Sequence, residues 1–204
     1  MAVITVSRLF GAGGWTLGQR LAKTLGYRYV DERMINEIAE KIGVTKECIR
    51  AFEQEGATRL NKFLDMVVSR NFIDRHVSNK SGYVDEKRYT RAVEAILHEL
   101  HKQDNVVIVG RAGQYILKGF RGVWRIFLVD NMEDRIRMVS KTHKVSESDA
   151  ERLIRTKDRI RTNFLSFFAD PSTHEDPRSY DLTLNMEHIS LEKAERLILT
   201  LLDR

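Results

Sequence analysis

Val6-Ser7-Arg8-Leu9-Phe10-Gly11-Ala12-Gly13-Gly14-Trp15-Thr16-Leu17-Gly18 sets a cluster of glycines between two kinds of periodicity. Upstream, Ala2-Val3-Ile4-Thr5-Val6 is an apolar run of strand length, rich in β-branched residues. Downstream, Leu17, Leu21 and Leu25 recur on one helical face, and Gly26 supplies a stop. A strand, a glycine turn and a helix in that order bring unpaired backbone N–H groups and the positive helix end to one place. Glycines let an anion approach the backbone closely and allow positive φ. Residues 7–16 therefore read as an anion site. Gly11, Ala12, Gly13, Gly14, Trp15 and Thr16 are its phosphate-binding candidates.

The spacing narrows the kind of site. A P-loop reads G-x-x-x-x-G-K-[ST]. Gly13 fills the second glycine, Arg8 stands at the first, Gly14 replaces the lysine, and Thr16 lies one residue beyond the usual hydroxyl. That lysine ordinarily neutralises β- and γ-phosphate charge during transfer. Arg8 is the nearest cation that supplies the charge from the other end of the loop, with different geometry. Thr16 is the hydroxyl candidate for Mg2+. A dinucleotide-binding reading competes, because Gly11-x-Gly13 follows a strand and Asp31 lies about 20 residues on, where a ribose hydroxyl is held. Thr16 at the third glycine position counts against it, as does the long helical stretch from Asp31 to about Gln103. A turn that merely packs a helix on a sheet is the third reading.

Further apolar runs of strand length fall at residues 27–30, 106–109, 124–129 and 182–184. Helical patterns fall at 16–25, 89–100 and 190–202, with Ser190 as an N-cap lacking the full capping box. The alternation predicts an α/β fold with a parallel sheet covered on both faces. The chain has 204 residues, 42% hydrophobic and 31% charged, which suits one soluble core. No apolar stretch approaches the roughly 20 residues that span a bilayer, and the N-terminus lacks a signal-peptide pattern. The single cysteine, Cys48, reads as packing on a helix face, and one cysteine suits a reducing cytoplasm. The net charge of +5 chooses no partner by itself. Basic residues are scattered except for Arg152, Arg155, Lys157, Arg159 and Arg161, and apart from these the sequence shows no stripe for nucleic acid.

Taken in order, Ile4-Thr5-Val6-Ser7-Arg8, Phe10-Gly11-Ala12-Gly13-Gly14, Gly26-Tyr27-Arg28-Tyr29-Val30-Asp31, Val107-Ile108-Val109-Gly110-Arg111 and Asp176-Pro177-x-x-Tyr180-Asp181-Leu182 span most of the chain. Together they resemble the cytidylate kinase-like family, divergent relatives of bacterial cytidylate kinase. The resemblance implies a P-loop nucleoside monophosphate kinase-like three-layer fold with a parallel sheet of about five strands. It implies one kinase-like domain, with its core at 1–30 and 104–204, a helical acceptor-binding insertion at about 31–103, and a lid at about 152–178. It also implies phosphoryl transfer from ATP with Mg2+ to a nucleoside monophosphate or similar small phosphorylated acceptor. Arg111 would hold the acceptor phosphate, since a guanidinium fork binds phosphate bidentately. Asp31 would lie near the acceptor and the metal, or else cap a helix before Glu32. Arg33 is a weaker acceptor candidate.

Arg8, Lys157, Arg159 and Arg161 would be the catalytic cations, the last three closing over the transferring phosphate. Lys157-Asp158 stands where cytidylate kinases carry Arg-Asp. Phe164, Phe167 and Phe168 read as core. In true cytidylate kinases an aspartate follows the acceptor arginine, but here the residue is Ala112, so no strong preference for CMP is expected. The missing lysine leaves a second reading open: a nucleotide-binding protein with weak turnover or none.

Overall fold

The computed structural model describes residues 2–41 and 81–202. Five strands form one sheet: β1 (Val3–Arg8), β2 (Arg28–Asp31), β3 (Val106–Val109), β4 (Val123–Val129) and β5 (Leu182–Asn185). Their order is β2-β3-β1-β4-β5, and every neighbouring pair is parallel. The described helices are α1 (Gly14–Leu25), α2 (Glu32–Lys41), α3 (Ser81–Gln103), α4 (Gly113–Ile116), α5 (Met132–His143), α6 (Glu147–Leu165) and α7 (Leu191–Leu202). Two short 3₁₀ turns, at Pro171–Thr173 and Pro177–Ser179, lead from α6 into β5.

The apolar runs become central strands because both of their faces are covered. Alternation sends Val3, Val106 and Ile108 to one face, where they pack with α2, α3 and Phe164. It sends Ile4, Val6, Val107 and Val109 to the other face, under α1 and α7. The result is three layers. Gly26 ends α1 at φ 68°, the left-handed cap its position suggests. Ser190 caps α7 by accepting the Lys193 N–H at 3.2 Å.

Strand order disposes of the dinucleotide alternative. That fold pairs its first two strands, whereas here β3 lies between β1 and β2. Two boundaries also differ from the sequence reading. β1 continues past Val6 to Arg8, which pairs in register with Leu128 of β4. α1 begins at Gly14, with Gly13 as a left-handed N-cap at φ 79°. Helix α5 has no counterpart in the periodicities noted above. Its start is set by Asn131, whose side chain accepts the Asp134 N–H at 2.8 Å. Cys48 and residues 42–80 of the expected insertion lie outside the described residues. No described helix is long and apolar enough to cross a membrane.

Candidate functional site

Parallel sheets bind ligands at the carboxyl ends of their strands. At that edge a cleft of about 980 Å³ opens between the glycine turn, α2, the end of β3 and α6. The turn lies beside it through Ser7, Arg8, Phe10 and Trp15. Gly11 and Gly13 both take positive φ, 92° and 79°, so the chain reverses tightly into α1. No side chain caps α1, and the positive end of the helix begins at Gly14.

Helices α5 and α6 grip the turn at Phe10. The Phe10 N–H donates to Asp158 Oδ1 at 2.9 Å, and Arg135 Nε donates to the Phe10 carbonyl at 2.8 Å. Arg135 and Asp158 are themselves ion-paired, with the arginine almost fully buried. Gly11 follows close against Arg135 and Val139, with 3.2 Å between an added Cβ and either residue.

Arg8 leaves the end of β1 and crosses the turn. A Cβ placed on Gly14 would lie 2.8 Å from Arg8 Cγ and 2.9 Å from Arg8 Cβ. A Cβ on Gly110 would overlap Arg8 Nη1. Two glycines therefore make room for one arginine, one for its stem and one for its head. The space over Gly110 holds the Arg8 guanidinium.

The chain after β3 is strained. Gly110, Arg111 and Ala112 take φ 84°, 53° and 57° in succession. For the two non-glycine residues that conformation costs roughly 1 kcal/mol or more each. The turn holds Arg111 at 5% exposure, with its guanidinium 4.8 Å from the Phe164 ring. Arg111 Nη2 pairs with Glu32 Oε1 at 2.8 Å, and Glu32 Oε2 lies 3.8 Å from Arg8 Nη2. Arg161 closes the group: its Nη2 donates to Ser7 Oγ at 3.3 Å, and its guanidinium lies over Phe127 at 5.2 Å. Burial is the main influence drawing the Arg8 guanidinium below its ordinary range. Glu32 opposes that shift, while Arg161 and Arg111 add to it. Arg8, Arg111 and Arg161 thus feel one another, and Arg8 and Arg111 share the Glu32 carboxylate. Over the whole cleft five basic side chains (Arg8, Arg33, Arg111, Lys157 and Arg161) meet five carboxylates (Asp31, Glu32, Glu37, Glu40 and Asp158), so the positive charge is concentrated locally at the three arginines.

The remaining expected site residues divide. Asp31 lines the cleft, and its Oδ1 accepts the Met34 N–H at 3.1 Å, a capping contact at the start of α2. Arg33 stands at the mouth, largely exposed, and pairs with Glu37 at 3.0 Å. Lys157 and Arg161 line the cleft, while Arg159 is exposed outside it. Helical geometry is the reason, because residues four apart share a face and Arg159 falls opposite both. Arg152 and Arg155 pair locally with Asp149 and Glu151. Thr16 is exposed, in the first turn of α1 and outside the cleft lining.

Sequence reasoning missed Glu32, the Arg135–Asp158 clamp, and Gln114. Gln114 lines the cleft at 1% exposure, and its Nε2 has no hydrogen-bond partner among the described residues. Only Asp158 carried a signal, through its place beside Lys157. Among the described residues, no group of three histidine, cysteine or acidic side chains could hold a metal. Thr16, the sequence candidate for Mg2+, does not line the cleft, and Glu32 is engaged by Arg8 and Arg111; Asp31 is a hard-oxygen carboxylate of the kind Mg2+ prefers.

Residues 3–188 match the cytidylate kinase-like family. The chain belongs to that family. A cytidylate kinase of Thermococcus kodakarensis is 27% identical over 188 residues, which cover 91% of this chain and 80% of that protein. An uncharacterised protein from Eubacterium ventriosum has a similar structure, with a TM-score of 0.70, 19% identity, and coverage of 99% of this chain and 98% of that one. A gluconokinase from Sinorhizobium meliloti matches with a TM-score of 0.54 at 15% identity, covering 100% and 92% of the two chains. A shikimate kinase from Acinetobacter baumannii in complex with shikimate gives 0.52 at 18% identity, covering 98% and 92%. At these identities the structural likeness speaks for the fold. This cytidylate kinase-like chain therefore has the P-loop nucleoside monophosphate kinase-like fold that its motifs imply.

Proposed function

We propose that this chain transfers the γ-phosphoryl group of ATP to a nucleoside monophosphate or a similar small phosphorylated acceptor. The observation that carries the reading is the gathering of Arg8, Arg111 and Arg161 around one cleft, beside a glycine turn at a helix N-terminus. In this reading the turn holds the triphosphate by backbone N–H groups from Gly11 to Thr16, except that of Ala12, which donates to the Leu9 carbonyl at 3.2 Å. Asp31 would help hold Mg2+, which supplies charge neutralisation between the β- and γ-phosphates when bound. Arg111 grips the acceptor phosphate with its fork, from a strained and rigid turn. Lys157 and Arg161 face the space between donor and acceptor and offset charge as it develops. An acceptor phosphate oxygen attacks the γ-phosphorus, the bond to the β–γ bridging oxygen breaks, and ADP leaves with that electron pair. The attacking oxygen is already anionic, so no general base is required.

Helices α2 and α3 form the described part of the acceptor side, and residues 152–178 form the lid. Ala112 is fully buried and brings no carboxylate to the acceptor base, so CMP has no privileged place. A cytoplasmic setting, where ATP is abundant, accords with this chemistry. One observation favours the second reading, nucleotide binding without turnover: glycine stands where the lysine of transfer belongs.

Arg111→Lys tests the proposal, because it keeps the charge and removes the fork. Steady-state kinetics on several monophosphates should show acceptor KM raised about tenfold or more, with ATP KM unchanged. Unchanged acceptor kinetics, or a strict CMP preference in the wild type, would contradict it. Release of no ADP by the wild type would leave the binding-protein reading standing.

A further inference from the structure

Two glycines packed against Arg8 point to a relocated cation. Gly14 occupies the position of the P-loop lysine and has no room for a side chain, because the Arg8 stem fills that space at 2.8–3.2 Å from where a Cβ would stand. Gly110 lies in the left-handed region at φ 84°, and a side chain there would overlap the Arg8 head. The stem of Arg8 thus runs over the α-carbon from which a lysine would have extended, and it delivers a guanidinium into the same cleft.

We propose that Arg8 and Gly14 form one exchanged pair: the charge has moved from the lysine position to the first position of the loop, and glycine at 14 is the condition that lets it cross. The ligand it serves is the β,γ-phosphate portion of a nucleoside triphosphate. The proposal rests on the reading of residues 7–16 as the donor site, and it adds which residue neutralises the donor. Position also sets a difference from lysine. The guanidinium ends beside Gly110 and 3.8 Å from Glu32, which also pairs with Arg111. Glu32 serves Arg8 as a counter-ion at the border of the two half-sites, and donor phosphates compete with it for Arg8. A planar fork contacts two phosphate oxygens at once, where an ammonium acts as a point charge.

The experiment is a swap. ATP–Mg2+ affinity is measured by calorimetry for the wild type, Arg8→Gly, Gly14→Lys and the double variant Arg8→Gly/Gly14→Lys. Arg8→Gly should bind about tenfold more weakly or worse, the usual scale for a lost charge-assisted contact. Gly14→Lys should also bind more weakly, because its stem collides with that of Arg8. The double variant should recover most of the affinity, since it restores the G-x-x-x-x-G-K pattern. A double variant that binds no better than Arg8→Gly overturns the exchange, and so does an Arg8→Gly protein that binds like the wild type.

Lysine at 14 could prevent folding, so a second cycle uses thermal melting of Gly14→Ala, made once in the wild type and once together with Arg8→Gly. The alanine should lower the melting temperature while Arg8 is present and leave it nearly unchanged once the Arg8 side chain is removed. Equal losses in both backgrounds overturn the packing on which the exchange depends. A wild type that binds no ATP–Mg2+ at all overturns the donor-site reading together with the role of Arg8. A wild type that binds, with no loss in Arg8→Gly, overturns the role of Arg8 alone.

Discussion

Gly18 and Gly26 show how differently two glycines of one helix are constrained. A Cβ on Gly18 would stand 2.5 Å from Val109 Cγ2 and 3.2 Å from the Tyr29 ring, so this glycine sets how closely α1 lies on the sheet. Alanine gains about 1 kcal/mol in helix propensity, but overpacking of this kind costs about 1–3 kcal/mol. The collision should win, and Gly18→Ala should melt several degrees lower than the wild type. Gly26 has nothing within 4 Å and φ 68°, so Gly26→Ala should lose only about 1 kcal/mol, from backbone strain alone. If Gly18→Ala proves as stable as the wild type, α1 does not sit where β3 is said to stop it.

The same scale separates Arg161 from Arg159. Arg161 faces the cleft and Ser7, whereas Arg159 is exposed outside it. Arg161→Ala should lower any transfer rate by about tenfold or more while ATP affinity changes little. Arg159→Ala should leave the rate alone, and a reversed order would contradict the assignment of faces. A basic run was visible in the sequence, but the sequence did not show which of its members turn inward. That depended on where α6 packs.

Among the elements, the least legible were those whose reason lies in another element. β1 and β3 were readable because burial on both faces writes an uninterrupted apolar run. α7 was readable because Ser190 announces it. α5 was not, since its role is to place Arg135 beneath Phe10, and a buried arginine looks like surface in a periodicity count. Breaking that contact tests the element. Asp158→Ala leaves Arg135 buried without its carboxylate and Phe10 without its acceptor, at a cost of about 3 kcal/mol. Stability should fall by that order in a denaturant titration. A loss below about 1 kcal/mol, the range of an exposed ion pair, would show that the clamp does not hold α6 to the turn.

The connection from α6 to β5 carries a pH dependence. His174 is buried at 2% exposure, and desolvation lowers its pKa below the ordinary 6.5. Its hydrogen bond with the Ala169 carbonyl opposes that shift, while Arg161 adds to it. A folded pKa below the unfolded value means that unfolding takes up a proton. The stability from neutral His174 is therefore present above about pH 6.5 and is lost as the pH falls toward the folded pKa. The melting temperature of the wild type should drop more steeply below about pH 6.5 than that of His174→Gln. Parallel curves would remove His174 from the account.

At the scale of the whole molecule, the alternation of strands and helices gave a parallel three-layer fold. The glycine turn alone, however, left two such folds open. What separated them was β3 entering between β1 and β2, a pairing between residues distant in the chain that no local pattern encodes. The same insertion brings Arg111 beside Arg8, and the cleft depends on that meeting. Glu32 escaped notice for a related reason: next to Asp31 it reads as a helix start, and its partners come from the end of β1 and the turn after β3.

In the proposed function these groups together move a phosphoryl group. The most direct measurement incubates the purified wild type with ATP–Mg2+ and a panel of nucleoside monophosphates, separating the products by chromatography. ADP and a nucleoside diphosphate should form in equal amounts with more than one acceptor, and not without acceptor. ATP that binds yet yields neither product with any acceptor would contradict that function.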